Sequence, residues 1–521
     1  MADVDCDVAI IGGGLAGLTL ALQLRQTMPG LAITVLERSR LPPAQAAHKV
    51  GESTVEIGAH YLADTLGLRE LLEQTQLRKF GLRLFFGAGM RSDLAETDEL
   101  GASTPMPAVS YQIDRGRLER DLAELAAARD ITVMDECVVR KADIDAQQGP
   151  HRLTADRNGE PLTVQSRWTV DAGSRVALLK RSLGIGKDNP HRIASAWARL
   201  DTPIAVDDWS RSPSWQRICD RPRRLSTNHL MGPGYWVWII PLQGERTSIG
   251  IVAEPDVYAP STFNTFEKLC DWLTRHQPRL AAEVLSSSDK LMDFRFMTNL
   301  ACDSEQVWSR QRWALTGEAG LFSDPFYSPG SDFIGISNTF ICDMIRRERS
   351  GERISAHAAV YQQMYKSFFE STMSLYENQY PGFGDTRLMV VKTTWDYAYY
   401  WAVLTWLYFR GAMTDIDLLR TLQPKLIAMR GINKSMQAVF QQRAAERRQD
   451  AGQGRFFDQT EIPLLYELNA GLLEPGADPV MEFDENCARL ERVSPMLLEL
   501  LAGESAAGNC SLLGDLRARF D

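Results

Sequence analysis

The chain has 521 residues, 44% hydrophobic and 24% charged, with a formal net charge of -10. That is enough apolar material for two or three domains, while the acidic balance excludes a nucleic-acid binder that works by phosphate neutralisation and disfavours an anionic membrane partner. Eight cysteines, Cys6, Cys137, Cys219, Cys270, Cys302, Cys342, Cys487 and Cys510, stand far apart with no CxxC pair. They read as free thiols in a reducing cytoplasm, with neither a disulfide framework nor a metal site.

The N-terminus carries Asp3, Asp5 and Asp7 and runs directly into a strand, unlike a signal peptide. The apolar run from Asp7 to Ile11 enters Gly12-Gly13-Gly14-Leu15-Ala16-Gly17. Leu18, Leu20, Leu22 and Leu24 then continue into a helix ending near Pro29-Gly30, and Ile33 to Leu36 is the next strand, giving a βαβ opening to a parallel sheet. Ile113 to Arg129 reads as a helix, Ile131 to Val139 as a strand, and Trp168 to Asp171 as a short strand before a Gly-Ser turn. Arg221, Arg223 and Arg224 form a local basic spot, better read as a solvated loop face than as a docking site for an acidic partner.

From about residue 185 to 300, strand-like alternation at Arg192 to Leu200, Tyr235 to Ile240, Thr247 to Ala253 and Leu291 to Met297 is separated by Pro, Gly and Asp turns, as in an inserted antiparallel sheet. Trp313 to Thr316 adds a buried strand and Phe333 to Arg349 a helix. Beyond about 355 the periodicity is helical, with breaks at Tyr380-Pro381-Gly382 and Pro424 and a linker at Leu473 to Gly476. Tyr397 to Phe409 is too short to span a bilayer, so no stable membrane insertion is expected, and it reads as a buried helix. Trp395, Tyr399, Tyr400, Trp401, Trp406 and Tyr408 make this region a packed core or an aromatic lid over a substrate.

Gly12, Gly14 and Gly17 form GxGxxG between a strand and a helix, so Gly12 to Gly17, Leu15 and Ala16 included, would cradle a pyrophosphate at the helix N-terminus. Glu37, with Arg38 beside it, ends the second strand, 20 residues beyond Gly17, where a carboxylate accepts from ribose hydroxyls. Its charge disfavours NADP but leaves NAD and FAD open.

Further segments separate those two. Lys49-Val50-Gly51-Glu52-Ser53-Thr54, Lys79-Phe80-Gly81, Trp236-Val237-Trp238-Ile239-Ile240-Pro241 and the run from Gly317 to Gly330 occur in the order found in the flavin-dependent halogenases. Over nearly its first 350 residues the chain resembles that family, within the monooxygenase-like FAD superfamily. The resemblance implies an α/β fold with a Rossmann-like FAD-binding module (1–184 and 300–355) and an inserted antiparallel sheet (185–299), and the helical periodicity beyond it gives a mainly helical C-terminal region (356–521) covering the substrate chamber. It implies cofactor contacts from Lys49, Gly51, Ser53, Arg115, Val139, Asp171, Glu318, Asp324 and Pro325. The KxG form at Lys79 is more similar to members acting on phenols or pyrroles than to those acting on free tryptophan.

Three departures stand out. Glu318 replaces the usual Asp of the second flavin segment, Gly173-Ser174 reverses the usual order, and Tyr327 stands where tryptophan halogenases carry a Glu. The last argues for a phenolic or pyrrolic ring beside Tyr327 and Ser328, with Trp236 and Trp238 also on the substrate side.

By resemblance, FADH2 and O2 form a C4a-hydroperoxide, halide attack gives hypohalous acid, and Lys79 transfers the halogen, as a hydrogen-bonding ammonium or as a haloamine. Pro329 lacks an N–H, so Gly330 and Ser331 are the expected donors to chloride or bromide. Glu52 is a candidate catalytic partner or a structural carboxylate. With no second dinucleotide fingerprint, reduced FAD would come from a separate NAD(P)H-dependent flavin reductase, and the aromatic substrate would be free or tethered to a carrier protein. The rival readings are a single-component aromatic hydroxylase, a flavin-dependent reductase or desaturase acting on an apolar substrate, and a scaffold that retains FAD without turnover.

Overall fold

The computed structural model describes residues 2–43, 51–145 and 149–503. The chain divides into two compact units, one made of Met1–Thr75, Ile113–Pro190 and Ala301–Glu370, the other of Gln76–Gln112, His191–Leu300 and Ser371–Asp521.

The first unit is a Rossmann-like module. Strands Ile33–Leu36, Ala2–Ile11, Glu160–Asp171 and Trp313–Leu315 lie side by side, all parallel, and Thr132–Met134 extends the sheet beyond the first of them. Their register aligns Leu36 with Ile11, Ile11 with Asp171 and Asp171 with Leu315, so the chain leaves four neighbouring strands at one edge. In open α/β sheets, ligands bind outside the carboxyl ends of the strands. Helix Leu15–Thr27 is buried continuously from Leu15 to Leu24, which is why its leucines show no single apolar stripe.

Two expected strands differ in extent. Ile131 to Val139 is split into Thr132–Met134 and Cys137–Asp143 by Glu136, whose φ of 49° turns the chain. Trp168 to Asp171 is the end of the twelve-residue strand Glu160–Asp171, whose Thr163, Gln165 and Arg167 masked it in the sequence.

The second unit holds a mixed, mainly antiparallel sheet. Its strands run Leu291–Thr298, Ala194–Leu200, Arg246–Ala253, Tyr235–Leu242, Thr227–Gly232, Leu82–Phe86, Asp98–Gly101 and Phe456–Asp458. Tyr235, Val237 and Ile239 point from one face into a core shared with Leu269, Trp272 and Leu280 of two covering helices, and the alternate residues occupy the other face. Residues 76–112, read from sequence as part of the cofactor module, belong here because Leu82–Phe86 pairs with Thr227–Gly232, 145 residues away.

The helical region supplies Thr386–Tyr399, Ile416–Ala444, Pro463–Gly471 and Pro479–Ala502. Pro424 does not break it. The helix Ile416–Ala444 continues through the proline, held by buried Leu419, Leu422 and Met429, so packing outweighs one missing hydrogen bond. Of the six aromatic residues singled out in this region, all but Tyr400 are buried, with Trp406 against Phe483 and Trp395 donating to Asn433 Oδ1 at 2.9 Å. That is the packing of a helical core. Among the described residues no helix is long and apolar enough to cross a membrane.

The basic spot is also resolved. Arg223 is buried, donates to Glu99 Oε1 at 2.8 Å and stacks on Trp215 at 3.7 Å, while Arg224 pairs with Glu245. Arg223 is therefore neither a solvated face nor an accessible docking residue.

Candidate active site

The carboxyl edge of the parallel sheet assembles three separated segments. Gly12 N–H donates to Leu36 O at 2.8 Å, Ala172 N–H to Ile11 O at 2.8 Å and Thr316 N–H to Asp171 O at 3.0 Å, so each segment begins from its neighbour's strand end. Gly12 has φ 108°, and a Cβ there would lie 2.6 Å from the Ala172 carbonyl oxygen. A Cβ on Gly17 would collide with the Gly12 carbonyl oxygen. The turn is thus too tight for side chains and opens onto the N-terminus of Leu15–Thr27, whose first N–H groups have no helical acceptor.

Glu37 is half-buried beside this turn. Its Oε2 accepts from Gly13 N–H at 2.6 Å and its Oε1 from Ser39 N–H at 2.8 Å. Each carboxylate oxygen keeps a second lone pair, which suits ribose hydroxyls. Arg38 is exposed, and Val139 lies half-buried on Cys137–Asp143, whose first N–H donates to Glu37 O. Arg115 opens helix Arg115–Ala128 and is clamped by Glu119, from Nη2 to Oε1 at 2.5 Å. A Cβ on Gly51 would come within 3.0 Å of Arg115 Nη1, which brings the 51–54 segment to this helix. Ser53 and Glu52 are buried, and Glu52 O accepts from Ile113 N–H. Lys49 lies outside the described residues.

The second flavin segment meets the first, since a Cβ on Gly317 would lie 3.0 Å from Ala16 Cβ. Glu318 Oε2 accepts from Ser174 Oγ at 2.7 Å and faces Arg175 at 3.4 Å. The two departures from the family pattern, Glu318 and Ser174, are thus joined to each other by a hydrogen bond. Asp171, a candidate cofactor ligand, spends its carboxylate on the turn itself: Oδ1 accepts from Gly173 N–H and Oδ2 from Leu179 N–H, both at 2.8 Å. Burial pushes its pKa up. Those two bonds shape the wall beside Gly12.

Asp324 is buried and accepts from Phe326 N–H at 2.8 Å, and Pro325 O accepts from Ser328 N–H at 2.9 Å. The turn places Tyr327 and Ser328 at φ 67° and 62°, two successive non-glycine residues in the left-handed region. It leads into the twenty-residue helix Gly330–Arg349, with Gly330 and Ser331 N–H in its first turn. The Ser331 side chain packs against the Gly58 backbone, and Gly58 N–H donates to Asp332 Oδ1.

The remaining candidates belong to the second unit. Lys79 is buried, its N–H donates to Ser110 O and that of Phe80 to Leu225 O, both at 2.9 Å. Trp236 and Trp238 share one sheet face, 5.6 Å apart. Trp236 Nε1 donates to Tyr380 Oη at 2.9 Å and Trp238 Nε1 to Ser248 Oγ at 3.1 Å. His229, which the sequence did not single out, packs 4.6 Å from Trp236 and is paired in register with Trp238. Burial first, and then the Lys79 charge, hold its pKa well below the usual histidine value. Glu119 was also missed, although an acid four residues after Arg115 on a helix is a readable signal. No local pattern marks His229.

A sequence model of the FAD binding domain matches residues 5–217. The flavin-dependent halogenase chlA of Dictyostelium discoideum is 28% identical over 435 residues, covering 76% of this chain and 70% of its own. The 1H-pyrrole-2-carbonyl-[peptidyl-carrier protein] chlorinase of Pseudomonas fluorescens is 25% identical over 350 residues, covering 63% and 73%. The crystal structure of halogenase PltM in complex with phloroglucinol and FAD superposes with a TM-score of 0.64 at 16% identity, covering 99% of this chain and 97% of that one. Taken with the strand-end cradle and the ordered motifs, these matches assign an FAD-binding module, and the chain is similar to the flavin-dependent halogenases.

Proposed function

We propose that the protein halogenates an electron-rich aromatic ring, phenolic or pyrrolic, using FADH2, O2 and chloride or bromide. Reduced FAD and O2 supply the oxidising power that turns halide and a proton into hypohalous acid and water. The ring then exchanges a hydrogen for halogen, and that hydrogen leaves in a second water. Overall, ArH, halide, O2, FADH2 and one proton give ArX, FAD and two waters.

The observation that carries this reading is Lys79, a buried lysine fixed by backbone hydrogen bonds on both sides of its corner, in a chain that also holds the FAD cradle. Its Nζ donates to hypohalous acid or, as the free amine, accepts the halogen. Gly330 and Ser331 N–H groups hold halide at the helix N-terminus, Tyr327 and Ser328 line the substrate side, and Glu52 is the candidate proton partner. Asp324 and Pro325 set the turn, and Arg115 stays at the cofactor edge through Glu119. The separate flavin reductase, the cytoplasmic setting and an aromatic substrate, free or carrier-bound, complete the proposal. The carrier-linked pyrrole named for one relative and the phloroglucinol bound to PltM support this substrate class.

The test supplies purified protein with FAD, a separate reductase, NADH and bromide or chloride, and screens phenols, pyrroles and carrier-bound pyrroles by mass spectrometry. Isotope-marked halogenated products are expected. Their absence from every substrate while hypohalous acid is also undetectable would overturn the reading. Rapid reduction of bound FAD by NADPH alone would overturn the two-component part. Lys79→Ala should abolish product while FAD binding is retained.

A further inference from the structure

Lys79 stands just before the strand Leu82–Phe86, which runs parallel to Thr227–Gly232 with Leu82 opposite Thr227. Both strands are therefore entered at the same end, and their entering segments, 79–81 and 225–227, lie side by side. Three hydrogen bonds join them: Phe80 N–H donates to Leu225 O at 2.9 Å, Ser226 Oγ to Phe80 O at 3.0 Å and Thr227 N–H to Gly81 O at 3.0 Å. Lys79 N–H itself donates to Ser110 O at 2.9 Å.

One carboxylate holds the side chains that flank this seam. Glu99 is buried on the neighbouring strand Asp98–Gly101, opposite Phe85. Its Oε1 accepts from Arg83, which follows the Lys79 corner, and from Arg223 Nε at 2.8 Å, which precedes Leu225; its Oε2 accepts from Trp215 Nε1 at 2.8 Å. Both arginines are buried, and among the described residues neither forms an ion pair with another acid. Arg83 also reaches back to the corner. Its Nε donates to Ser226 Oγ at 3.3 Å, the hydroxyl that donates to Phe80 O, and its guanidinium lies 5.3 Å from the centre of the Phe80 ring. Its Nη2 donates to Ala102 O at 2.6 Å, while Arg223 stacks at 3.7 Å on Trp215. Apolar side chains of the same volume would stabilise such a spot as well or better, because taking three charges out of water costs about as much as their attraction returns. What two planar guanidiniums on one carboxylate add is a fixed geometry.

Resting on the halogenase reading, we propose that Glu99 is a positioning residue for Lys79: through Arg83, Arg223 and Ser226 it sets how the two entering segments meet, and so the point from which the lysine side chain reaches hypohalous acid.

The experiment compares Ser226→Ala, Ser226→Thr and Glu99→Gln in the full chain, with FAD affinity and urea unfolding as checks on the fold. Two readouts are taken: amide hydrogen exchange in the peptides covering 79–81 and 225–227, followed by mass spectrometry, and the partition between ring-halogenated product and trapped hypohalous acid per FADH2 oxidised. Ser226→Ala cuts the link from Arg83 to Phe80 O and leaves the ion pairs in place. It should speed exchange at Lys79 and Phe80 by about tenfold and divert halogen to the trap by roughly tenfold, while Ser226→Thr keeps both readouts near wild type. Glu99→Gln should act in the same direction and more strongly, by about 100-fold in exchange. If Glu99→Gln does not fold, Arg83→Lys takes its place, since it keeps a cation for Glu99 but cannot also reach Ser226 and Ala102. Wild-type exchange at 79–81 in the folded variants would overturn the proposal, and so would faster exchange with an unchanged partition. Should wild type yield neither product nor hypohalous acid while exchange at 79–81 still responds to Ser226 and Glu99, the bracing of the corner stands and the halogenase reading falls.

Discussion

The two units make their sites by different means. In the first, the cradle is backbone: Gly12 and Gly17 leave no room for a Cβ, and Asp171 shapes a turn by accepting N–H groups. In the second, the buried polar features are side chains from distant positions, such as Trp236 with Tyr380, and Lys392 with Asp396 and Gln437. A backbone site is damaged by adding an atom, and a side-chain site by removing one partner of a pair.

The largest effect should come from the second unit. Lys392 and Asp396 are fully buried 2.9 Å apart, and Gln437 accepts from Lys392 Nζ at 3.0 Å and donates to Asp396 Oδ1 at 2.7 Å. Lys392→Met removes the cation paired with the buried carboxylate and should cost about 3 to 5 kcal/mol in denaturant unfolding, whereas Lys392→Met with Asp396→Leu should recover most of that loss. A double variant as unstable as the single one would show that the pair is not the unit of stability. Gly17→Ala comes next. Its methyl meets the Gly12 carbonyl oxygen, so an overpacking cost of about 1 to 3 kcal/mol should appear as a roughly 10- to 100-fold loss of FAD affinity by fluorescence titration. Unchanged affinity would mean that the cradle yields, contrary to a backbone-defined site.

This difference also explains what the sequence made legible. A backbone site needs glycines at fixed spacing near a strand end, so Gly12 to Gly17, Glu37 and the 317–330 segment are visible as local text. The strands Leu82–Phe86 and Thr227–Gly232 are defined by each other across the chain, and neither periodicity nor composition brings them together. His229 was missed for the same reason. Asp171 was legible as a motif residue, but its carboxylate belongs to the turn, which only the bonds to Gly173 and Leu179 reveal. Pro424 misled because the penalty for a proline is local while the packing that holds Ile416–Ala444 is tertiary.

His229 sharpens the contrast through pH. Its folded-state pKa lies well below the unfolded value of 6.5, so below pH 6.5 the unfolded chain binds a proton that the folded chain refuses. Stability attributable to this residue is therefore intact above pH 6.5 and is lost as pH falls, by up to about 1.4 kcal/mol per unit until the folded pKa is reached. Between pH 7 and pH 5.5 the stability of wild type relative to His229→Gln should fall by about 1 kcal/mol, measured by urea unfolding at each pH. His60, His151 and His276, also lowered mainly by burial, are present in both proteins and cancel. A difference independent of pH would mean that His229 accepts a proton in the folded state.

The smallest effect belongs to the turn before the helix Gly330–Arg349, where a backbone feature is made without glycine. Ser328 at φ 62° carries a left-handed cost of about 1 kcal/mol, which Ser328→Gly relieves. Glycine also enlarges the unfolded ensemble, at a cost of roughly 0.4 to 1 kcal/mol, so the two terms nearly cancel. The expected change in unfolding free energy is within about 0.5 kcal/mol of zero. Set beside Gly17→Ala, that outcome separates two demands on glycine: a left-handed φ is cheap for a serine to meet, while the approach of one backbone segment to another admits no side chain. A stabilisation well above 1 kcal/mol would instead show strain stored at Ser328, beside the proposed halide donors Gly330 and Ser331, and the backbone character of the first unit would then extend from its cofactor cradle to its reacting end.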